Sequence, residues 1–145
     1  MINIIRVPPN MVEIIWDKAR PLLQKCEDAM AEKDRVDPDT YRKQLMAGVD
    51  HQMMLVSEGA DCIAVAILRL TYEDNGDRII EIVSLAGDRL GEWAEPFHHV
   101  TREIALAENC TKIVTYTIRK GWSKVLSTFG YKEGLTPHTL DLGEY

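Results

Sequence analysis

The chain has 145 residues, 46% of them hydrophobic and 28% charged. That balance fits one globular domain able to bury roughly two-thirds of its unfolded surface, and it excludes disorder as the overall state. Seventeen basic against 23 acidic side chains give a net charge of −6, which repels a phosphate backbone and argues against non-specific nucleic-acid binding. No apolar run reaches the ~18 residues of a membrane span. Met1-Ile2-Asn3-Ile4-Ile5-Arg6 reads as a strand and lacks a basic-then-apolar leader, so the expected location is the cytoplasm.

Residues 2–7 alternate and end at Pro8-Pro9, a short strand followed by a breaker. Asn10 is the expected cap of a long helix whose apolar stripe runs Met11, Ile15, Ala19, Leu22 and Cys26, with a kink expected at Pro21. Glu32-Lys33-Asp34-Arg35 reads as a loop. Asp37-Pro38 reads as N-cap and first position of a short helix that stops near Gly48. The period then changes to two: strands are expected over residues 52–57, 62–72 and 78–86, with Asn75-Gly76 as a type I′ hairpin turn. The middle strand is apolar on both faces, so helices should cover both sides of an antiparallel meander.

Trp93, Phe97, Val100, Ile104 and Ala107 mark one apolar stripe of a helix over about residues 92–109, with Asn109 at the left-handed end position. Residues 112–118 form the next strand, rich in β-branched side chains. Strand, helix and strand make a right-handed βαβ crossover with parallel pairing. Residues 121–129 read as a short helix ended by Gly130, with Trp122, Val125, Leu126 and Phe129 inward. Residues 131–133 and 139–142 form a final hairpin around Pro137. The expected fold is a single α/β domain over residues 1–145, a mixed sheet with helices on both faces.

Cys26, Cys62 and Cys110 are odd in number and contain no C-x-x-C, so they read as buried thiols. His98 and His99 are neighbours, and on a helix their side chains diverge by about 100°, so they cannot share an ion as an i, i+4 pair does. They are expected to lie on the surface or half-buried, with no chemical duty. Asp34, Asp37 and Asp39 have loop and capping explanations without calcium-loop spacing. No metal site is expected.

Two stretches carry a resemblance: Glu81-Ile82-Val83-Ser84-Leu85-Ala86-Gly87-Asp88-Arg89, and Gly121-Trp122-Ser123-Lys124-Val125-Leu126-Ser127-Thr128-Phe129-Gly130-Tyr131. Together with the order β-α-α-β-β-β-α-β-α-β-β, they resemble the GNAT superfamily of acyl-CoA-dependent N-acyltransferases, and look most like small GNAT-like proteins of tailed bacteriophages. The resemblance implies acetyl-CoA as cofactor, lying where the central strand and the next parallel strand part. It implies Glu81 as the base, and a backbone amide among Val83, Ser84 and Leu85 polarising the thioester carbonyl. Gly87, Asp88, Arg89, Leu90 and Gly91 would form the phosphate loop, with Arg89 as its cation. Arg119 would reach the coenzyme phosphates or a partner's acidic patch. The tyrosine that often protonates the leaving thiolate falls at Leu126, which has no proton to give, and Tyr116 on the neighbouring strand is its substitute.

The loop departs from the superfamily's pattern in having one glycine fewer. Asp88, Glu92 and Glu95 crowd the helix start, where each carboxylate would oppose a diphosphate ~4–6 Å away by about 1 kcal/mol. Plainer roles compete with the chemical ones. Glu81 can pair with Arg69 or Arg78 across the hairpin, Arg89 and Arg119-Lys120 can be solvated loop cations, and Trp93 and Trp122 fit a core. The expected activity is acetyl transfer from acetyl-CoA to an amine. The alternative is a GNAT-fold protein without cofactor chemistry that serves as a binding or virion-assembly component, partnered by phage structural proteins.

Overall fold

The computed structural model describes residues 1–28, 32, 35–116, 127–133 and 137–142, with the backbone alone for Tyr116, Lys132, Glu133, Pro137 and His138. Strand β1 (Ile2–Val7) leads through a 3-10 turn (Pro9–Met11) into helix α1 (Val12–Asp28). Helix α2 (Pro38–Ala47) follows, then the meander β2 (His51–Glu58), β3 (Asp61–Tyr72) and β4 (Arg78–Gly87). Helix α3 (Leu90–Ala107) crosses to β5 (Lys112–Tyr116), and β6 (Lys132–Glu133) and β7 (Pro137–Asp141) complete a sheet of order β1-β2-β3-β4-β5-β7-β6. Only β4 and β5 pair in parallel; the other neighbours are antiparallel. This is the mixed α/β architecture expected, with the crossover in its expected place. The helix read at residues 121–129 lies mostly outside the described residues; Ser127 and Thr128 are its visible end.

The sheet has a core on each face. On one side Trp93, Phe97 and Ile104 of α3 pack on Met54, Ala66, Leu68, Ile80, Ile82 and Ile113. On the other, Val12, Trp16, Ala19 and Leu23 of α1 and Leu45 of α2 pack on Val7, Met53, Val65 and Ile67. Burying each large aliphatic side chain contributes roughly 1.5–3 kcal/mol, and β2 and β3 are both covered on two faces. No described helix is long and apolar enough to cross a membrane.

Local chemistry explains most boundaries. The Asp37 carboxylate accepts from the Asp39 amide, Pro38 stands at the first helical position, and Gly48 ends α2 in the left-handed region at φ 66°. Asn109 takes the same region at φ 59°. Three local expectations are corrected. Asn10 lies inside the 3-10 turn and not at a helix cap. The hairpin turn is not type I′: Gly76 has φ 90° while Asn75 stays at negative φ, because its side chain accepts from the Asp77 amide at 2.9 Å. With Gly76 donating to the Glu73 carbonyl, this is a three-residue loop that closes on a left-handed glycine. Pro137 opens β7 and pairs with Tyr116 instead of sitting in a turn. Helix α1 continues through Pro21 to Asp28.

The stripe on α1 is rotated by one residue from the expected one. Val12, Trp16, Ala19, Leu23 and Glu27 are buried, whereas Met11 is exposed and Ile15, Leu22 and Cys26 are half-buried. Both registers are apolar at 3.6 spacing, and packing against β3 and β4 selects between them. Cys110 is buried, but Cys26 and Cys62 are only half-buried.

His98 is a further correction: it is buried, with its ring stacked on Phe129 at 4.6 Å and edge-on to Tyr131. Burial, with His99 and Arg102 nearby, pushes its pKa below the ordinary imidazole value, opposed by Glu95. The folded state therefore keeps His98 neutral where the unfolded chain would bind a proton, so stability is lost as pH falls below about 6.5. Thermal melts should show a lower Tm at pH 5.5 than at pH 7.5, and His98→Phe, which keeps a stacking ring, should shrink that difference. An unchanged difference would remove His98 from the effect.

Candidate active site

The site is built where β4 leaves the sheet. The parallel ladder with β5 holds four pairs, from Ile79 with Lys112 to Ile82 with Thr115. Among the described residues it stops there, while β4 continues to Gly87 and stays paired with β3. The next residue, Val83, is a bulge: Ile67 pairs with Ser84 and Leu68 with Ile82, leaving Val83 as the extra residue on β4. A bulge bends and twists its strand. Residues 83–87 thus present backbone with no ladder partner on the β5 side among the described residues, beginning one residue past the ladder's end.

Glu81 lies between Ile80 and Ile82, both in the α3-side core, so alternation turns it toward the α1–α2 face. It pairs in register with Arg69, whose Nη2 donates to Glu81 Oε2 at 2.7 Å; the Glu81 side chain is 12% exposed. Val83 packs partly on the same face. Ser84 is buried and its hydroxyl has no hydrogen-bond partner among the described residues. Tyr116 is the residue after the ladder's end on β5, and its side chain, like all of Arg119 and Leu126, lies outside the described residues.

The β4–α3 turn is pinned from beneath. Gly87 has φ 146° and lies so close to β3 that a Cβ would stand 2.4 Å from Ala64 Cβ and 2.4 Å from the Ile63 carbonyl oxygen. The Asp88 amide donates to that Ile63 carbonyl at 3.1 Å, and the Asp88 carbonyl accepts from Nε1 of the fully buried Trp93 at 2.7 Å. The Asp88 amide is therefore already used, and the Glu92 amide donates to the Arg89 carbonyl at 2.9 Å, which leaves the Leu90 and Gly91 amides as the turn's anion-facing groups. A side chain at Gly91 would meet nothing within 4 Å among the described residues.

Arg89, at φ 61°, stands at the helix start and is not a free cation. Its Nη1 and Nη2 donate to the two carboxylate oxygens of Glu58 at 3.2 and 3.1 Å, and its Nε and Nη2 donate to Glu92. These hydrogen bonds hold the Glu58 and Glu92 carboxyls below the usual carboxylate range and strengthen protonation of the guanidinium. Glu58, 31 residues before Arg89, is the partner that sequence reasoning missed. It stands opposite Asp61 at the same end of the sheet as Ala64 and Gly87. Only the strand register brings it there. Glu27 was missed too: it is buried on α1, with Oε1 accepting from the Val36 amide and Oε2 without a partner, and burial raises its pKa. Among the described residues no cluster of three metal-ligating side chains exists.

No protein-family model matches the sequence, and no curated protein matches it. Solved structures do. A predicted acetyltransferase from Clostridium acetobutylicum, solved with acetyl-CoA, has TM-score 0.71 at 15% identity, covering 100% of this chain and 99% of that one. The ribosomal-protein-alanine N-acetyltransferase of Brucella melitensis biovar Abortus has TM-score 0.68 at 16% identity, covering 92% and 94%. A GNAT family acetyltransferase of Staphylococcus aureus has TM-score 0.64 at 12% identity, covering 92% and 93%. The chain has the GNAT fold.

The two loop glycines should respond differently to alanine. Gly87→Ala places a side chain against β3 in a left-handed conformation and should cost about 1–3 kcal/mol from backbone strain alone, with the clash added. Gly91→Ala should stay within about ±0.5 kcal/mol. Urea denaturation of both variants measures this, and equal losses would contradict the pinned turn.

Proposed function

We propose that the chain transfers an acetyl group from acetyl-CoA to an amine. The observation that carries this reading is the end of the β4–β5 ladder at Ile82 among the described residues, followed at once by the Val83 bulge and preceded by Glu81. The residues present fit the cofactor: strand backbone at 83–87 with no β5-side partner among the described residues for the pantetheine amides, and the Leu90 and Gly91 amides at the start of α3 for the diphosphate. The cofactor supplies a thioester whose carbonyl carbon the amine attacks. Backbone N–H groups among Val83, Ser84 and Leu85 would steady the charge that develops on the carbonyl oxygen. Glu81, aimed by Arg69, would take the proton from the amine. Tyr116, placed on β5 just past the ladder's end, is the proposed donor to the thiolate. Leu90, Gly91 and Arg89 are proposed for the diphosphate, and Arg119 for the outer phosphates. Asp88 is proposed as a structural member of the loop, because its backbone is committed to Ile63 and Trp93.

Acetyl-CoA at ~100-fold its dissociation constant should stabilise the protein by roughly 2.7 kcal/mol, read as a thermal shift; no shift would sink the proposal. Glu81→Gln should lower kcat by about 10²–10⁴-fold with acetyl-CoA affinity unchanged, and undiminished turnover would take Glu81 out of the base's role.

A second reading draws on Arg89, whose nitrogens are already taken by carboxylates: a GNAT-fold binding or virion-assembly protein that needs no cofactor, partnered by phage structural proteins. Co-purification with capsid or tail components from infected cells, together with silence toward acetyl-CoA, would favour it.

A further inference from the structure

We infer that Glu58 is a resident anion of the diphosphate subsite, an internal competitor for Arg89 that sets how tightly the cofactor is held. This rests on the acetyl-CoA reading and adds to it a residue from a distant strand. The three guanidinium nitrogens are all occupied: Nη1 by Glu58, Nε by Glu92, and Nη2 by both. The Glu58 carboxylate grips the guanidinium through two parallel hydrogen bonds, the geometry a phosphate would use. Two carboxylates against one guanidinium leave the cluster at net −1. A diphosphate arriving at the first turn of α3 therefore meets a satisfied arginine and an excess of negative charge.

The clamp is reversible by construction. Arg89 and Glu58 side chains are 39% and 41% exposed, so the pair is solvated and each partner can be exchanged for a ligand oxygen at small cost. Glu58 ends β2, and its side chain is 41% exposed. Glu92 stands in the first turn of α3, where its charge also favours the helix dipole. Displacing Glu58 costs the helix nothing, so Glu58 is the displaceable member and Glu92 the standing one. The arrangement makes cofactor binding an exchange of one anion for another on the same guanidinium, and it explains how a loop with few glycines and many acids could still discriminate in favour of a multiply charged ligand.

Titration calorimetry with CoA as the probe tests this on the wild type, Glu58→Gln, Arg89→Gln and the double variant. Removing an exposed ion-pair competitor should tighten CoA about two- to fivefold, and the gain should vanish in the Arg89→Gln background. CoA binding by the wild type that Glu58→Gln leaves unchanged, or a gain that persists without Arg89, overturns the inference while leaving the acetyl-CoA reading intact. Absence of CoA binding in every variant overturns both. Binding that appears only in Glu58→Gln supports the inference in its strongest form. Should Glu58→Gln fail to fold by circular dichroism, Glu58→Asp, whose shorter side chain weakens the grip on Arg89, must tighten CoA with the same dependence on Arg89.

Discussion

The close approach of Gly87 to β3 is the constraint on which the site depends. With no side chain, Gly87 lets the end of β4 press onto Ala64, and the Asp88 amide then reaches the Ile63 carbonyl. That contact fixes where the chain turns, and Trp93 locks the turn from the helix side through the Asp88 carbonyl. Arg89 is left in a left-handed conformation that β-branched or bulky residues seldom take. The first turn of α3 thereby starts directly from the end of β4.

The Val83 bulge works with this contact. A regular strand held by β3 on one side and β5 on the other would expose no backbone. With one residue inserted, β4 keeps its β3 partners as far as Ala64, while among the described residues its ladder with β5 runs to Thr115. The same irregularity places Glu81, the last polar side chain before the bulge, at the boundary between paired and unpaired strand. Its bond to Arg69 satisfies a half-buried carboxylate and also holds it in one direction. The two readings of Glu81 weighed from the residues alone are therefore compatible in one geometry.

Electrostatics sets the tone at the opposite corner. Acidic side chains at a helix N-terminus stabilise the helix through its dipole, and Glu92 does so beside Arg89. The same charges stand where an anionic ligand would approach. Fold stability and ligand affinity thus pull on one guanidinium from two sides, and the exposure of the pair leaves the outcome to exchange and not to burial.

The residues alone determined the order of the described elements, the two-sided burial of β3, the Asp37 cap, the end of α2 near Gly48, the left-handed Asn109 and the parallel crossover, because each follows from local spacing, turn chemistry or chain handedness. They put the α1 stripe in the Met11 register where the fold buries the Val12 one, since both are apolar at helical period. They also misjudged Asn75, whose side chain competes for its own backbone, and His98, whose burial comes from Phe129 and Tyr131 beyond the crossover. Only the tertiary structure decided where the β4–β5 ladder ends, that Gly87 touches Ala64, and that Arg89 meets Glu58. Those are contacts between segments far apart in the chain, and they depend on strand register and a one-residue bulge, for which no pattern of polarity along the chain provides a signal.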